Sequence, residues 1–260
     1  MESAQQVIEQ AISSLDRGEY SQVVQQLSPA YQRYSDNDEI LVLLAEALTG
    51  SNRSKQALEL LSRRGEDSQV SADVLFALGD EYFAGNNQPQ ALICYRRLLE
   101  FPEACAEAWV RIGLISLAED DISQAKSCFQ KALGVDPETL SAMNSLGDLC
   151  LDEEDFSEAQ NWYKRALEID AEDSEAWSNL AELYYAEGDV DNAQKCARQA
   201  LKFDQQFAPA WLMLGYVALD SDDEDQARRC LKQFLSLEYS AAATDIIVEV
   251  KAVLSALKGS

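Results

Sequence analysis

Histidine is absent from all 260 residues. That absence removes the side chain that most often moves protons near neutrality and most often ligates zinc. Proline, at five residues, and glycine, at eleven, are too scarce for long linkers or low-complexity stretches. No apolar run approaches the roughly 18 residues of a membrane span. The amino-terminal MESAQQVIEQ lacks the basic region and apolar run of an export signal. These absences point to a cytoplasmic protein without membrane insertion. Positive charge is also short, with 21 basic against 46 acidic residues and a net charge of -25. Such a balance repels phosphate backbones and anionic lipid, which argues against a nucleic-acid partner and favours a basic protein partner. The plainer alternative is that the acidity keeps the chain soluble.

Chemistry-bearing motifs are missing too. The chain holds no P-loop, G-x-S-x-G, H-E-x-x-H or C-x-x-C sequence. Acidic runs stand at Glu119–Asp121, Asp152–Asp155 and Asp222–Asp225, and Asp220, Asp222 and Glu224 alternate as at the start of an EF-hand loop. That loop needs glycine sixth and glutamate twelfth, where Asp225 and Leu231 stand here. Carboxylates at helix starts, capping exposed N–H groups, explain the runs better. The expectation is a non-enzyme without a cofactor or metal.

What is present is a period. Stepping by 34 residues from Trp109 reaches Met143, Trp177 and Trp211 in one direction, and Leu75, Leu41 and Val7 in the other. The eighth position of this repeat reads Ala11, Ala45, Gly79, Gly113, Gly147, Ala181 and Gly215, and the twentieth Val23, Ala57, Ala91, Ala125, Ala159, Ala193 and Ala227. Small residues let helix backbones approach, and the large neighbours in the seventh position, Leu44 to Leu214, fill the grooves. The units run 4–37, 38–71, 72–105, 106–139, 140–173, 174–207 and 208–241, without insertion or deletion. Beyond them Ile246, Ile247, Val250, Val253, Leu254 and Leu257 recur at helical spacing, which predicts a last helix within 242–258, capped by Thr244 or Asp245, over the open apolar face. Three irregularities carry expectations. Gln10 replaces a leucine, Pro29 should kink or split its helix near Leu27–Pro29, and Arg64 replaces a small residue and should loosen packing.

Cys94, Cys128, Cys196 and Cys230 share the twenty-third position. Equivalent positions of successive repeats are separated by an intervening helix, with packed helices about 8–10 Å apart. Disulfides need Cα atoms within about 7 Å, so this row reads as small packing residues of a reduced intracellular protein.

Trp109, Ile112, Gly113, Ala125, Phe129, Ala132 and Pro137 in one unit, and Trp177, Leu180, Tyr184, Ala193 and Ala200 in a later one, resemble the tetratricopeptide-repeat family. The first departs where Ser116 replaces a tyrosine, the second where Ala181 replaces a glycine. The resemblance covers roughly nine tenths of the chain and implies an all-α, right-handed superhelical solenoid of seven helix-turn-helix repeats plus a C-terminal capping helix. It further implies a protein-interaction scaffold whose first helices line a concave groove.

Transferred to this register, the family's inward positions hold Glu46, Asp80, Asp148 and Glu182 as a mid-helix acidic ladder, broken by Leu114. Val42, Phe76, Val110, Tyr185, Leu212 and Tyr216 stand between its rungs, with Arg111, Asn144 and Asn179. Acidic rungs beside apolar patches suit a basic or amphipathic segment of another protein; a merely solvated face is the competing reading. The carboxylate clamp of the family's co-chaperone members needs two lysines and an arginine. The register that uses Asn179 offers Asn144, Asp148, Pro209 and Met213 instead, which argues against that ligand. The functional alternative is a self-assembling scaffold, a homo-oligomer in which the irregular first repeat docks into a neighbouring copy.

Overall fold

The structure, a computed structural model, describes residues 3–101, 106–238, 240 and 243–257. Among them every regular element is an α-helix. Fourteen form seven antiparallel pairs: α1 (Ala4–Leu15) with α2 (Tyr20–Arg33), α3 (Asp38–Gly50) with α4 (Ser54–Gly65), α5 (Ala72–Ala84) with α6 (Gln88–Leu98), α7 (Ala106–Ala118) with α8 (Ile122–Val135), α9 (Leu140–Asp152) with α10 (Phe156–Ile169), α11 (Ser174–Ala186) with α12 (Val190–Phe203), and α13 (Ala208–Asp220) with α14 (Glu224–Leu237). The fifteenth is α15 (Thr244–Ala256). Residues 105, 241, 242 and 258, which bound the expected units, lie outside the described residues. The chain forms two compact units, one through Val135 and one from Asp136 onward.

Each hairpin turns at the same repeat position. Gly18, Asn52, Asn86, Asp120, Glu154, Gly188 and Asp222 all adopt positive φ, between 55° and 80°. Glycine, asparagine and aspartate enter this region most easily, and six of the seven residues are of those types. In four of the hairpins the side chain of the next residue caps the second helix. Asp121, Asp155, Asp189 and Asp223 each accept a backbone N–H three residues on, at 2.9–3.2 Å. The acidic runs are thus one left-handed residue followed by one N-cap. No group of three or more His, Cys, Asp or Glu residues able to hold a metal occurs among the described residues.

The small columns close the hairpins. All seven residues of the twentieth position are 0% exposed. At the eighth position, three of the four glycines face an aromatic residue sixteen positions on. A Cβ on Gly79, Gly113 or Gly147 would come within 2.6 Å of the rings of Tyr95, Phe129 and Tyr163 respectively. Ala11, Ala45 and Ala181 occur where that partner is Leu27, Leu61 or Ala197. Gly79, Gly113 and Gly147 thus mark the hairpins in which an aromatic ring packs on the first helix, while Gly215 faces Leu231, whose Cδ2 a Cβ would meet at 2.4 Å.

The irregular positions behave differently from their sequence expectations. α2 runs unbroken through Pro29, and the Ser28 hydroxyl donates to the Val24 carbonyl at 2.6 Å in the turn before it. Gln10 accepts from Gln26 Nε2 at 2.9 Å, exchanging an apolar contact for an amide pair across the first hairpin. Arg64 does not loosen its unit. Its Nε donates to Asp38 at 2.6 Å and its Nη1 to Asp67 at 2.6 Å, fastening the end of α4 to the start of α3.

Bulky Phe234 packs with Leu231, Val250 and Leu254, and so supplies the apolar seat on which α15 rests. Arg228 Nη2 reinforces it by donating to the Leu257 carbonyl at 2.5 Å. α15 starts at Thr244 with Ala243 in the cap position and no side-chain cap, so neither Thr244 nor Asp245 serves as its N-cap. Cys94, Cys128, Cys150, Cys196 and Cys230 are buried thiols outside any disulfide, and burial pushes the Cys196 thiol up to about 11.

Candidate interaction surface

The first helix of each pair carries the candidate residues. Across α1, α3, α5, α7, α9, α11 and α13 the sequence places thirteen acidic residues and one basic residue, Arg111. The cations sit on the second helices, where several are engaged: Lys131 lies 4.4 Å from the Trp109 ring centroid and Arg165 4.5 Å from that of Trp162.

In the first unit, Val42, Phe76 and Ala77 form the apolar floor of two adjoining recesses. The larger, about 680 Å³, has Asp73 and Glu107 at its edge; the other, about 370 Å³, has Glu46 and Asp80. Asp80 is already engaged. The Tyr95 hydroxyl donates to its Oδ1 at 2.5 Å, Arg111 Nη2 donates to Oδ2 at 3.3 Å, and Arg111 Nε lies 3.0 Å from Oδ1 as an ion pair. The Arg111 guanidinium also stands 5.7 Å from the Phe76 ring centroid. Leu114 is half-buried, outside both recesses.

Val110 requires a correction: it is 1% exposed and cannot present its side chain to a partner. The same holds for Asn144, also 1% exposed. They share the fifth repeat position with Ser178, at 5% exposure, and in these three hairpins that position falls in the seam between packed helices. At this position Val42 and Phe76 border the recess, and Leu212 stays half-buried.

In the second unit, Asp148 repeats the Asp80 arrangement with one change. The Tyr163 hydroxyl donates to Asp148 Oδ1 at 2.8 Å, and Asn179 Nδ2 donates to the same oxygen at 2.9 Å. Asn179 occupies the place that Arg111 holds in the first unit, so no cation offsets the Asp148 charge. Asp148 as a residue is exposed to water. Loss of bulk water, then the fields of Glu175, Glu182 and Asp152, push its carboxyl up to about 7, against the pull of the Tyr163 hydrogen bond. Glu175 is also raised, by burial and then by Asp173, and Glu182 by burial and then by Asp152. Farther along, the rings of Tyr185 and Tyr216 stack at 6.5 Å, and the Tyr216 hydroxyl donates to Glu249 at 3.2 Å.

The sequence reading missed Tyr95 and Tyr163 as partners of the ladder. The signal was present: among the seven repeats, tyrosine stands at the twenty-fourth position only where aspartate stands at the ninth.

Helical pairs of constant length, closed by small residues at fixed positions and turned by one left-handed residue, define a repeat protein of stacked hairpins. The chain belongs to the tetratricopeptide-repeat family. Residues 14–75 and 105–172 each match the family described as Tetratricopeptide repeat, and residues 144–257 match the Cilia and flagella-associated protein 70 middle TPR-like domain. No curated protein matches the chain in sequence. Among solved structures, a tetratricopeptide repeat protein from Parabacteroides merdae superposes with TM-score 0.73 at 19% identity, covering 98% of both chains. The crystal structure of the APC/C hetero-tetramer Cut9–Hcn1 gives 0.72 at 15% identity over 92% of this chain, and yeast Tom70 gives 0.63 at 15% over 92%. The chain spans about half of the first of these (48%) and 58% of Tom70. At these identities the likeness is one of fold.

Proposed function

We propose that the protein is a non-catalytic adaptor that holds a Lys- or Arg-bearing amphipathic segment of another protein against its first-helix faces. One observation carries this reading: the first helices hold thirteen carboxylates and a single cation, and that cation is already paired. Carboxylates raised by desolvation and by one another gain from an incoming cation that offsets their mutual repulsion. The apolar floor at Val42 and Phe76 gives such a segment's other face a place to bury. The same charge balance disfavours nucleic acid, and no described helix is long and apolar enough to cross a membrane.

The test uses the full chain and two fluorescein-labelled helical peptides, one patterned with leucine and arginine, the other with glutamate in place of arginine. The basic peptide should bind, and its affinity should fall as salt rises. Phe76→Ala should weaken it by about tenfold, the effect of losing one aromatic anchor. Equal binding of both peptides, or of neither, would sink the adaptor reading.

A further inference from the structure

Asp80 and Asp148 occupy the same repeat position, and each accepts a hydrogen bond from a tyrosine fifteen residues on. Each also meets a residue thirty-one positions on, and here they diverge. Arg111 reaches both oxygens of Asp80, through Nε at 3.0 Å and Nη2 at 3.3 Å. Asn179 reaches only Asp148 Oδ1, the oxygen that Tyr163 also uses, and Oδ2 has no hydrogen-bond partner among the described residues. One turn earlier on the same face of α9 stands Asn144. Its Nδ2 donates to Asp173 at 3.1 Å and its amide reaches Glu175, while its Oδ1, buried, has no partner. This part of the second unit therefore brings Asp148, Glu175 and Glu182 together with no pairing cation among the described residues. In the first unit the chain's own Arg111 stands against the equivalent aspartate, through one Nη2 hydrogen bond and an Nε ion pair.

We infer that Asp148 is the seat for one arginine side chain of the partner, with Glu175 and Glu182 around it, and that the Arg111–Asp80 pair shows from within the chain how that arginine binds. The guanidinium would donate to Asp148 Oδ2 in the planar manner that suits a carboxylate. Asn179 is the specificity-determining residue, because an arginine there would satisfy Asp148 internally, as Arg111 satisfies Asp80. This inference rests on the adaptor reading and deepens it by naming the anchoring contact.

The experiment measures binding of the leucine–arginine peptide to the full chain by fluorescence anisotropy. Variants are Asn179→Arg, which supplies the cation from inside, and Asp148→Asn, which keeps an acceptor for Tyr163 and removes the charge. Each has a control of equal charge change on an exposed position of the second unit, Gln205→Arg and Asp191→Asn. Circular dichroism checks that all four fold. Both site variants should weaken binding by about tenfold, and both controls by less than about twofold. If the peptide binds wild type but the site variants weaken it no more than their controls do, the arginine seat is overturned and the adaptor reading survives. If the peptide does not bind wild type, the adaptor reading fails and takes the seat with it.

Discussion

At the scale of single residues, the charge that most distinguishes this protein is that of Asp148. Its carboxyl is pushed up to about 7, first by loss of bulk water and then by neighbouring acids, from an unfolded value of about 3.9. Between those values the native chain binds more protons at this site than the unfolded chain does. Its contribution to stability is therefore full below about pH 4 and is lost as pH rises through about 7. Asp148→Asn should accordingly be more stable than wild type at pH 8, by about 1 kcal/mol once solvent screening of an accessible group is allowed for. At pH 4 the two should converge. Denaturant melts at the two pH values check this, and a variant less stable than wild type at pH 8 would show that the ionised carboxylate helps the fold through Tyr163. The same carboxylate must be ionised to hold a cation, so stability and binding change in opposite directions over this pH range.

Pairs of helices decide where that carboxylate can sit. Gly147 lets the Tyr163 ring lie against α9, from where its hydroxyl reaches Asp148 one residue farther along. A Cβ at position 147 would come within 2.4 Å of Tyr163 Cε1, too near for any side chain to keep its place. Gly147→Ala should cost about 1–3 kcal/mol through overpacking, measured by chemical unfolding. Adding Tyr163→Leu should restore only part of that loss, because Ala45 with Leu61 and Ala11 with Leu27 coexist in two hairpins, whereas Leu231 leaves no room for a Cβ at Gly215. Additive losses in the double variant would show that the glycine is not there to admit the ring. The small columns were legible in the sequence because each keeps its character at a constant spacing, and constant spacing is what stacked hairpins require. The Asp–Tyr bonds were not read, since they couple two columns that each vary along the chain. Val110 and Asn144 were placed on the open face by a position shared with Phe76, but helix packing closes over the fifth position in their hairpins. The effect of Arg64 was misjudged for a related reason. Its size predicts crowding, whereas its three donor groups find Asp38, Asp67 and the Gln69 carbonyl around it.

For the whole molecule, a net charge of -25 makes self-repulsion a standing cost of folding. Salt should relieve it. Raising ionic strength from about 0.02 M to about 0.5 M shortens the screening length from about 20 Å to about 4 Å. Repulsion between separated carboxylates then fades, while the half-buried pairs Arg64–Asp38 and Arg111–Asp80 are screened less. A gain of about 1 kcal/mol would raise the thermal midpoint of a chain of this size by about 2–4 °C. Attraction for a cationic segment should weaken across the same range. One salt titration, followed by thermal melts and by anisotropy of the basic peptide, therefore yields two curves of opposite sign. If the midpoint falls with salt instead, attractive ion pairs outweigh the net charge in holding the fold. If peptide affinity holds constant while the midpoint rises, the partner is held by apolar contacts at Phe76 and Val42, and the acids serve solubility alone.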